Sequence, residues 1–287
     1  MLNKGLVLGG GGAKGIFQIG YLKGLRDSTG KDPFDNVKII SSTSIGTIIT
    51  TLLLFNDWNL DIDYIEEFTK IIPLNKFNIY FKFIKGLFPF IIGLTDGILD
   101  NQKIIEKNLF DIIKNKTPNF KNISKLIYTT TKIQENSIAS NIIKSENSIN
   151  IDFKKTICKF ATASSNLPIL FKPYNLNGNF CYDGGLNENL PVSEMLNEKL
   201  DIIDIISLDT NDKIIIKKGF ALFDTLLNLW VEIGDDWSEK DFINSLNNNN
   251  IKLNFIYPQK SLGSLINFSE NNLRILFKLG YDFAFKK

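Results

Sequence analysis

Near the start of the chain a short apolar run, Leu6-Val7-Leu8, gives way to four consecutive glycines, Gly9-Gly10-Gly11-Gly12, then to Ala13-Lys14-Gly15 and an apolar helical repeat. Four glycines in succession have no side chains with which to stabilise a strand or a helix, so they form a tight strand-to-helix turn with a bare backbone. Unshielded amides at a helix N-terminus make a nest that binds an anion or stabilises a developing oxyanion. Gly10, Gly12 and Gly15 also satisfy G-x-G-x-x-G, the spacing of a dinucleotide-binding turn. That fold needs an acidic residue at the end of the second strand, where this chain has Ser42-Thr43-Ser44. A P-loop needs a Lys followed by Ser or Thr, and none closes this loop. A plain turn remains a reading, although four glycines exceed what a turn requires.

Downstream the pattern alternates strand and helix, which predicts an α/β layer fold with helices on both faces of the sheet. Strands are expected at Leu6–Gly9, Val37–Thr43, Leu126–Thr131, Ser137–Ile143, Ile202–Leu208 and Lys252–Tyr257. Helices are expected at Lys14–Asp27, Ser44–Phe55, Asp61–Ile72, Asn101–Asn115, Asp152–Ala163, Phe220–Ile233 and Ser269–Phe285, the last with Ser269 as N-cap. The Asn-rich run Ser245–Asn250 reads as a loop. The 287 residues show no repeat and no Pro/Gly-rich linker, which favours one domain over 1–287. Ile39–Asn56 carries no charge and is long enough to be weighed as a membrane span. Seven Ser and Thr residues interrupt it, so it reads as a buried strand followed by a buried helix. Met1-Leu2-Asn3-Lys4 leads straight into the first strand with no secretory pattern. With only Cys158 and Cys181, reduced thiols in a cytoplasmic protein are the expectation.

The composition restricts the chemistry further. The chain has no histidine, which removes Ser-His-Asp triads, Cys-His dyads and histidine metal sites. A net charge of +2 supplies no general attraction for nucleic acid. Two other segments then stand out. In Ser42-Thr43-Ser44-Ile45-Gly46, Ser44 sits where a strand meets a helix, the position of a G-x-S-x-G nucleophile elbow with Ser42 in place of the first glycine. Taken alone, Ser44 would be an ordinary helix cap. In Tyr182-Asp183-Gly184-Gly185, a carboxylate precedes two glycines that let another backbone or a substrate come close. Taken alone, this is an ordinary Asp-Gly turn.

Together these segments resemble the patatin-like phospholipases. Gly10-Gly11-Gly12-Ala13-Lys14-Gly15 resembles the family's GGGxKG oxyanion motif, Ser44 its elbow serine, and Asp183-Gly184-Gly185 its D-G-G motif. Ala161-Thr162-Ala163-Ser164-Ser165-Asn166-Leu167-Pro168 resembles the Ala/Ser-rich segment ahead of its catalytic aspartate. The likeness runs from about residue 6 to 209, with the strand and helix at 252–285 completing the domain. It implies a three-layer α/β/α fold with a mostly parallel sheet, and a Ser44–Asp183 dyad working without histidine. It implies an oxyanion hole from Gly10, Gly11, Gly12, Lys14 and Gly15, supported by Ser42, Gly46, Gly184 and Gly185, with no metal and no cofactor. Lys14 either adds positive potential there or faces solvent. The implied substrate is a membrane phospholipid or related acyl-lipid ester, cleaved by a phospholipase A type of hydrolase in peripheral contact with the membrane. The sequence names no protein activator. Two other functions stand beside this one: an inactive patatin-like lipid binder, motivated by Ser42, and a nucleotide-binding module, motivated by G-x-G-x-x-G. Phe77–Leu94, rich in Phe with Lys82 and Lys85, reads as a cap over the active-site groove, either buried or dipping into the bilayer interface.

Overall fold

The computed structural model describes residues 2–72, 102–133, 137–145, 149–168, 170–209 and 251–286. Eight strands form one sheet: β1 (Lys4–Leu8), β2 (Val37–Thr43), β3 (Lys125–Lys132), β4 (Ser137–Lys144), β5 (Tyr174–Leu176), β6 (Asn179–Asp183), β7 (Ile202–Ile206) and β8 (Lys252–Ile256). Among the described residues six α-helices accompany them: α1 (Ile16–Thr29), α2 (Ile45–Phe55), α3 (Tyr64–Ile71), α4 (Gln102–Ile113), α5 (Ile151–Ser164) and α6 (Glu270–Ala284). The sheet order is β5-β6-β3-β2-β1-β7-β8, and β4 also pairs with β3. The strands from β3 through β2, β1 and β7 to β8 are parallel, while β4, β5 and β6 add antiparallel pairs. The fold is therefore α/β with a mostly parallel central sheet.

Alternation along the strands separates two cores. Leu6, Leu8, Ile40, Leu126, Tyr128 and Ile206 pack with residues from all six α-helices in one buried cluster. Val7, Ile39, Ile127, Ile203 and Ile205 face the other way, under Leu190, Val192, Met195 and Leu200. The sequence pattern anticipates helices on both faces. Among the described residues the α-helices share one core, and the opposite face is covered by the chain between Leu190 and Leu200. Ile39–Asn56 is indeed a buried strand and a buried helix, because β2 is central and α2 lies on it. Among the described residues no helix is long and apolar enough to cross a membrane. Cys158 and Cys181 are buried free thiols. The expected helix at Phe220–Ile233, the loop at Ser245–Asn250 and the aromatic segment Phe77–Leu94 lie outside the described residues.

Local signals are honoured unevenly at helix starts. Asp63 caps α3 by accepting from Ile65 and Glu66 amides, and Asn150 caps α5 by accepting from Phe153. Ser269 occupies the expected N-cap of α6, yet its hydroxyl donates to Asn267 Oδ1 at 2.8 Å and makes no cap bond. A small hydroxyl serves whichever acceptor its loop brings nearest.

α1 and α6 cross at backbone contact. A methyl group on Gly280 would stand 2.1 Å from the Phe17 carbonyl oxygen, and one on Gly20 would stand 2.0 Å from that of Phe277. No rotamer relieves a clash with backbone. Gly280→Ala should therefore destabilise the protein, although in an open helix the same change would gain about 1 kcal/mol. Chemical denaturation should read a net loss of about 1–3 kcal/mol, and an unchanged or raised midpoint would refute this packing.

Candidate active site

The end of β2 and the end of β6 meet on one edge of β3. In register, Thr43 lies opposite Thr129 and Asp183 lies opposite the next residue, Thr130. β2 arrives parallel and β6 antiparallel, so Ser44 and Asp183, remote in sequence, leave their strands side by side. Two side-chain bonds tighten this junction: Thr131 Oγ1 donates to Asp183 O at 3.0 Å, and Thr43 Oγ1 donates to Glu188 O at 3.1 Å.

Ser44 turns the chain from β2 into α2 with φ 53 and ψ −125. A positive φ of this kind costs a non-glycine residue about 1–3 kcal/mol and persists only when its surroundings impose it. The Ser44 amide donates to Ser164 Oγ at 2.9 Å, and its carbonyl accepts from Thr47 Oγ1 at 2.6 Å. Gly46 permits the turn because a Cβ there would lie 2.2 Å from Leu8 O. Ser42, two residues earlier, is an ordinary strand residue paired with Leu8 and Tyr128. Its hydroxyl donates to Ile127 O at 3.5 Å, so the extra atoms find both room and an acceptor.

Asp183 is 2% exposed and Ser44 6%. Asp183 Oδ1 accepts from the Gly185 amide at 2.8 Å. Burial pushes the carboxyl up to about 7, while the adjacent Ser44 hydroxyl and the Gly185 amide hold it back from going higher. Although the hydroxyl lies close enough to exert that pull, no hydrogen bond of normal geometry reaches Oδ2 among the described residues. Gly184 lies against Thr129 O, which a Cβ would approach to 2.4 Å, so the Asp-Gly-Gly loop hugs β3.

The glycine turn lies over this junction, and its residues divide their tasks. A Cβ on Gly10 would stand 2.9 Å from Ser44 Cβ and 2.4 Å from Asn189 Oδ1, so only glycine lets the turn approach the serine. The Gly10 amide donates to Asn189 O at 3.4 Å, and the Lys14 amide donates to Gly11 O at 3.1 Å. Among the described residues no acceptor meets the Gly11 or Gly12 amide. Gly12 has φ 55 and no room for a side chain beside Leu265 O. Gly15 packs against Ile45, setting the spacing of the two turns. The Lys14 side chain is 7% exposed and so does not face solvent.

Sequence reasoning passes over several supporting residues. Gln18 Nε2 donates to Gly9 O at 3.0 Å and Ile206 O at 3.1 Å, tying the end of β1 to β7 beneath the glycine turn. Buried Glu188 accepts from the Ser193 amide and hydroxyl, both at 2.8 Å; burial raises its carboxyl above the usual range. Asn189 bridges Gly10 and the neighbourhood of Gly185. β6 itself, which delivers Asp183, is also unanticipated. Its signal is nonetheless present: Asn177-Gly178, with φ 54 and 90, is the two-residue hairpin turn that joins β5 to β6.

The end of β2 holds Thr43 and Ser44 where a dinucleotide fold would put its ribose-binding acid, and the glycine turn lies against the serine. Among the described residues no cluster of three metal-binding side chains occurs. The model of the patatin-like phospholipases matches residues 6–196, a span that starts in β1 and includes the glycine turn, the elbow and the Asp-Gly-Gly loop. A curated relative, the lysophospholipase NTE1 of Phaeosphaeria nodorum, is 27% identical over 232 residues. The matched region takes in 79% of this chain and 13% of that protein, so the chain spans only a small part of its relative. Among solved structures, VipD from Legionella pneumophila superposes over 100% of this chain and 66% of its own, with a TM-score of 0.50 at 16% identity, a likeness of fold alone. Because the family match extends over well over half of the residues, the chain belongs to the patatin-like phospholipase family.

Proposed function

We propose that this chain hydrolyses carboxylic esters of phospholipids or related acyl lipids, with Ser44 as nucleophile and Asp183 as its general base. The observation that carries this reading is the buried carboxyl beside the Ser44 hydroxyl, with Oδ2 unbonded and a pKa of about 7. An exposed aspartate near 3.9 is too weak a base for a serine hydroxyl, and burial brings it into the working range. Ser44 Oγ attacks the ester carbonyl carbon while Asp183 Oδ2 takes its proton. The carbonyl oxygen becomes an oxyanion and accepts from the Gly11 and Gly12 amides, while those of Gly10 and Lys14 are already engaged. Collapse expels the alcohol, a lysolipid, which recovers the proton from Asp183. Water, deprotonated by the same carboxylate, then releases the fatty acid and restores Ser44. One oxyanion donor typically contributes about 10²–10³ in rate, so the glycine turn is as necessary as the dyad. Contact with a membrane surface belongs to this proposal, because the substrate resides there.

Ser44→Ala and Asp183→Asn should each abolish fatty-acid release from defined phospholipids while the fold, read by circular dichroism, is kept. Wild-type turnover in either folded variant would exclude the dyad.

The raised pKa has consequences for both rate and stability. kcat/KM should climb with pH through about 7 as Asp183 loses its proton, and a flat profile between about pH 5 and 8 would exclude it as the base. The same carboxyl binds its proton more tightly folded than unfolded, so wild-type stability falls as pH rises from the ordinary aspartate value to about 7. Asp183→Asn removes the buried charge. It should unfold later than wild type at pH 8, by on the order of a few kcal/mol, with the difference vanishing near pH 4.

Ser42→Gly bears on the inactive-binder alternative. The change deletes only the long bond to Ile127 O, and turnover should stay within about threefold of wild type, less than 1 kcal/mol of barrier. A large gain would mean that Ser42 impairs the elbow, and a loss beyond about tenfold would mean that it supports it.

A further inference from the structure

The strained elbow poses a problem that its own strand does not solve. Pairing of β2 with β3 ends at Thr43, and α2 begins at Ile45. The amide of Ser44 therefore belongs to neither a ladder nor a helix, and a buried amide needs an acceptor. A matching vacancy exists on β3. Thr129 stands at the seam where β2 stops and β6 begins, and Thr129 O lies beside Gly184. One fully buried hydroxyl joins the two groups. Ser164 Oγ, on the last residue of α5, accepts from the Ser44 amide at 2.9 Å and donates to Thr129 O at 2.6 Å. A hydroxyl carries one proton, so its direction here is fixed: the proton goes to Thr129 and a lone pair to Ser44. Two residues later the same segment holds the other partner, for the Asp183 amide donates to Asn166 O at 2.9 Å. Asn166 Nδ2 in turn donates to Lys172 O at 2.9 Å and Cys181 O at 3.3 Å, fixing the segment to β6.

We infer that Ser164 is a positioning residue for the dyad: its hydroxyl, wedged between the Ser44 amide and Thr129 O, holds Ser44 in its positive-φ conformation against Asp183. The inference rests on the Ser44–Asp183 reading above. Ser164 does not contact the reacting atoms. It acts through the backbone of Ser44, so its loss changes how often the hydroxyl stands where Asp183 can take the proton. Substrate binding, which does not involve Ser164, is left alone. A buried amide and carbonyl without partners would favour relaxation of the elbow toward negative φ.

The test compares Ser164→Ala with Ser165→Ala and Ser44→Ala on the same phospholipid. Ser165 is the neighbouring control: its hydroxyl, just past the end of α5, donates back to Ala161 O at 2.5 Å and reaches neither dyad residue. Ser164→Ala should lower kcat by at least about tenfold with KM within about twofold, and slow fluorophosphonate labelling of Ser44 in parallel. Ser165→Ala should keep both rates within about twofold of wild type. Wild-type kcat in folded Ser164→Ala, or equal losses at Ser164 and Ser165, would overturn the inference. If Ser164→Ala does not fold, Ser164→Cys keeps the volume and replaces the oxygen with a poor acceptor. A folded Cys variant with wild-type kcat overturns it equally. Turnover surviving in Ser44→Ala would remove the dyad and this inference together, whereas an inactive Ser44→Ala beside a fully active Ser164→Ala would remove this inference alone.

Discussion

The site depends on one strand serving as a common template. Two strands with different directions and distant origins end against the same edge of β3, at Thr129 and Thr130. Sheet hydrogen bonding spaces adjacent residues by about 3.3 Å along that edge, so the backbone positions preceding Ser44 and at Asp183 are set by β3 and not by loop conformations. Side-chain bonds from Thr43 and Thr131 and the hydroxyl of Ser164 then fill the seam. Placement on strand ends gives a precision that mobile loops lack. Disturbing β3 would displace both partners at once, a stronger dependence than either has on its own loop.

The proposed hydrolysis, in a chain without histidine, calls for another base that works near neutrality, and a buried carboxyl meets that requirement. The shift at Asp183 arises mainly from loss of solvent, opposed by the Ser44 hydroxyl and the Gly185 amide. Neither ally is a full positive charge, so the carboxylate is stabilised by dipoles alone. That leaves it basic, but it also opposes folding once the proton is lost. Net stabilities of domains are only about 5–15 kcal/mol, so one such group is a sizeable fraction. The surrounding structure therefore has to over-determine the position: the Asp183 amide, carbonyl and Oδ1 are each hydrogen-bonded, and among the described residues Oδ2 is left without a hydrogen bond.

What was legible in the sequence was what local pattern encodes. Val37–Thr43 and the helix after Ser44 follow from apolar runs and a change of period, and the structure keeps them with little shift. The glycine turn was legible as a bare backbone, but the division of labour within it was not. That the Gly10 amide is occupied while those of Gly11 and Gly12 stay open depends on Asn189, whose carbonyl accepts from Gly10 from far along the chain. Strand β6 was missed because five residues with mixed burial carry weak periodicity, although Asn177-Gly178 announced the hairpin. Ser164 lies within the Ala/Ser-rich segment 161–168, where nothing in the sequence gives its hydroxyl a partner. Its hydroxyl gains meaning only when β2 and β6 leave a carbonyl exposed between them, a tertiary fact with no local signature.

The elbow and the glycine turn make opposite use of strain, and each requires the other. At Ser44 the proposed reaction requires a side chain, so the positive φ falls on a residue that resists it and is held by Ser164, Thr47 and the close packing at Gly46. In the turn the proposed role falls to the backbone itself, which needs no side chains, and Gly12 takes φ 55 without resistance. The two meet where a Cβ on Gly10 would touch Ser44 Cβ, so the turn can approach Ser44 only because it has no side chains there. A serine held rigidly but far from open amides would attack without stabilising the resulting charge. Open amides over a relaxed serine would have no oxyanion to receive. The run of four glycines and the single strained serine are thus one design constraint expressed at two places in the chain.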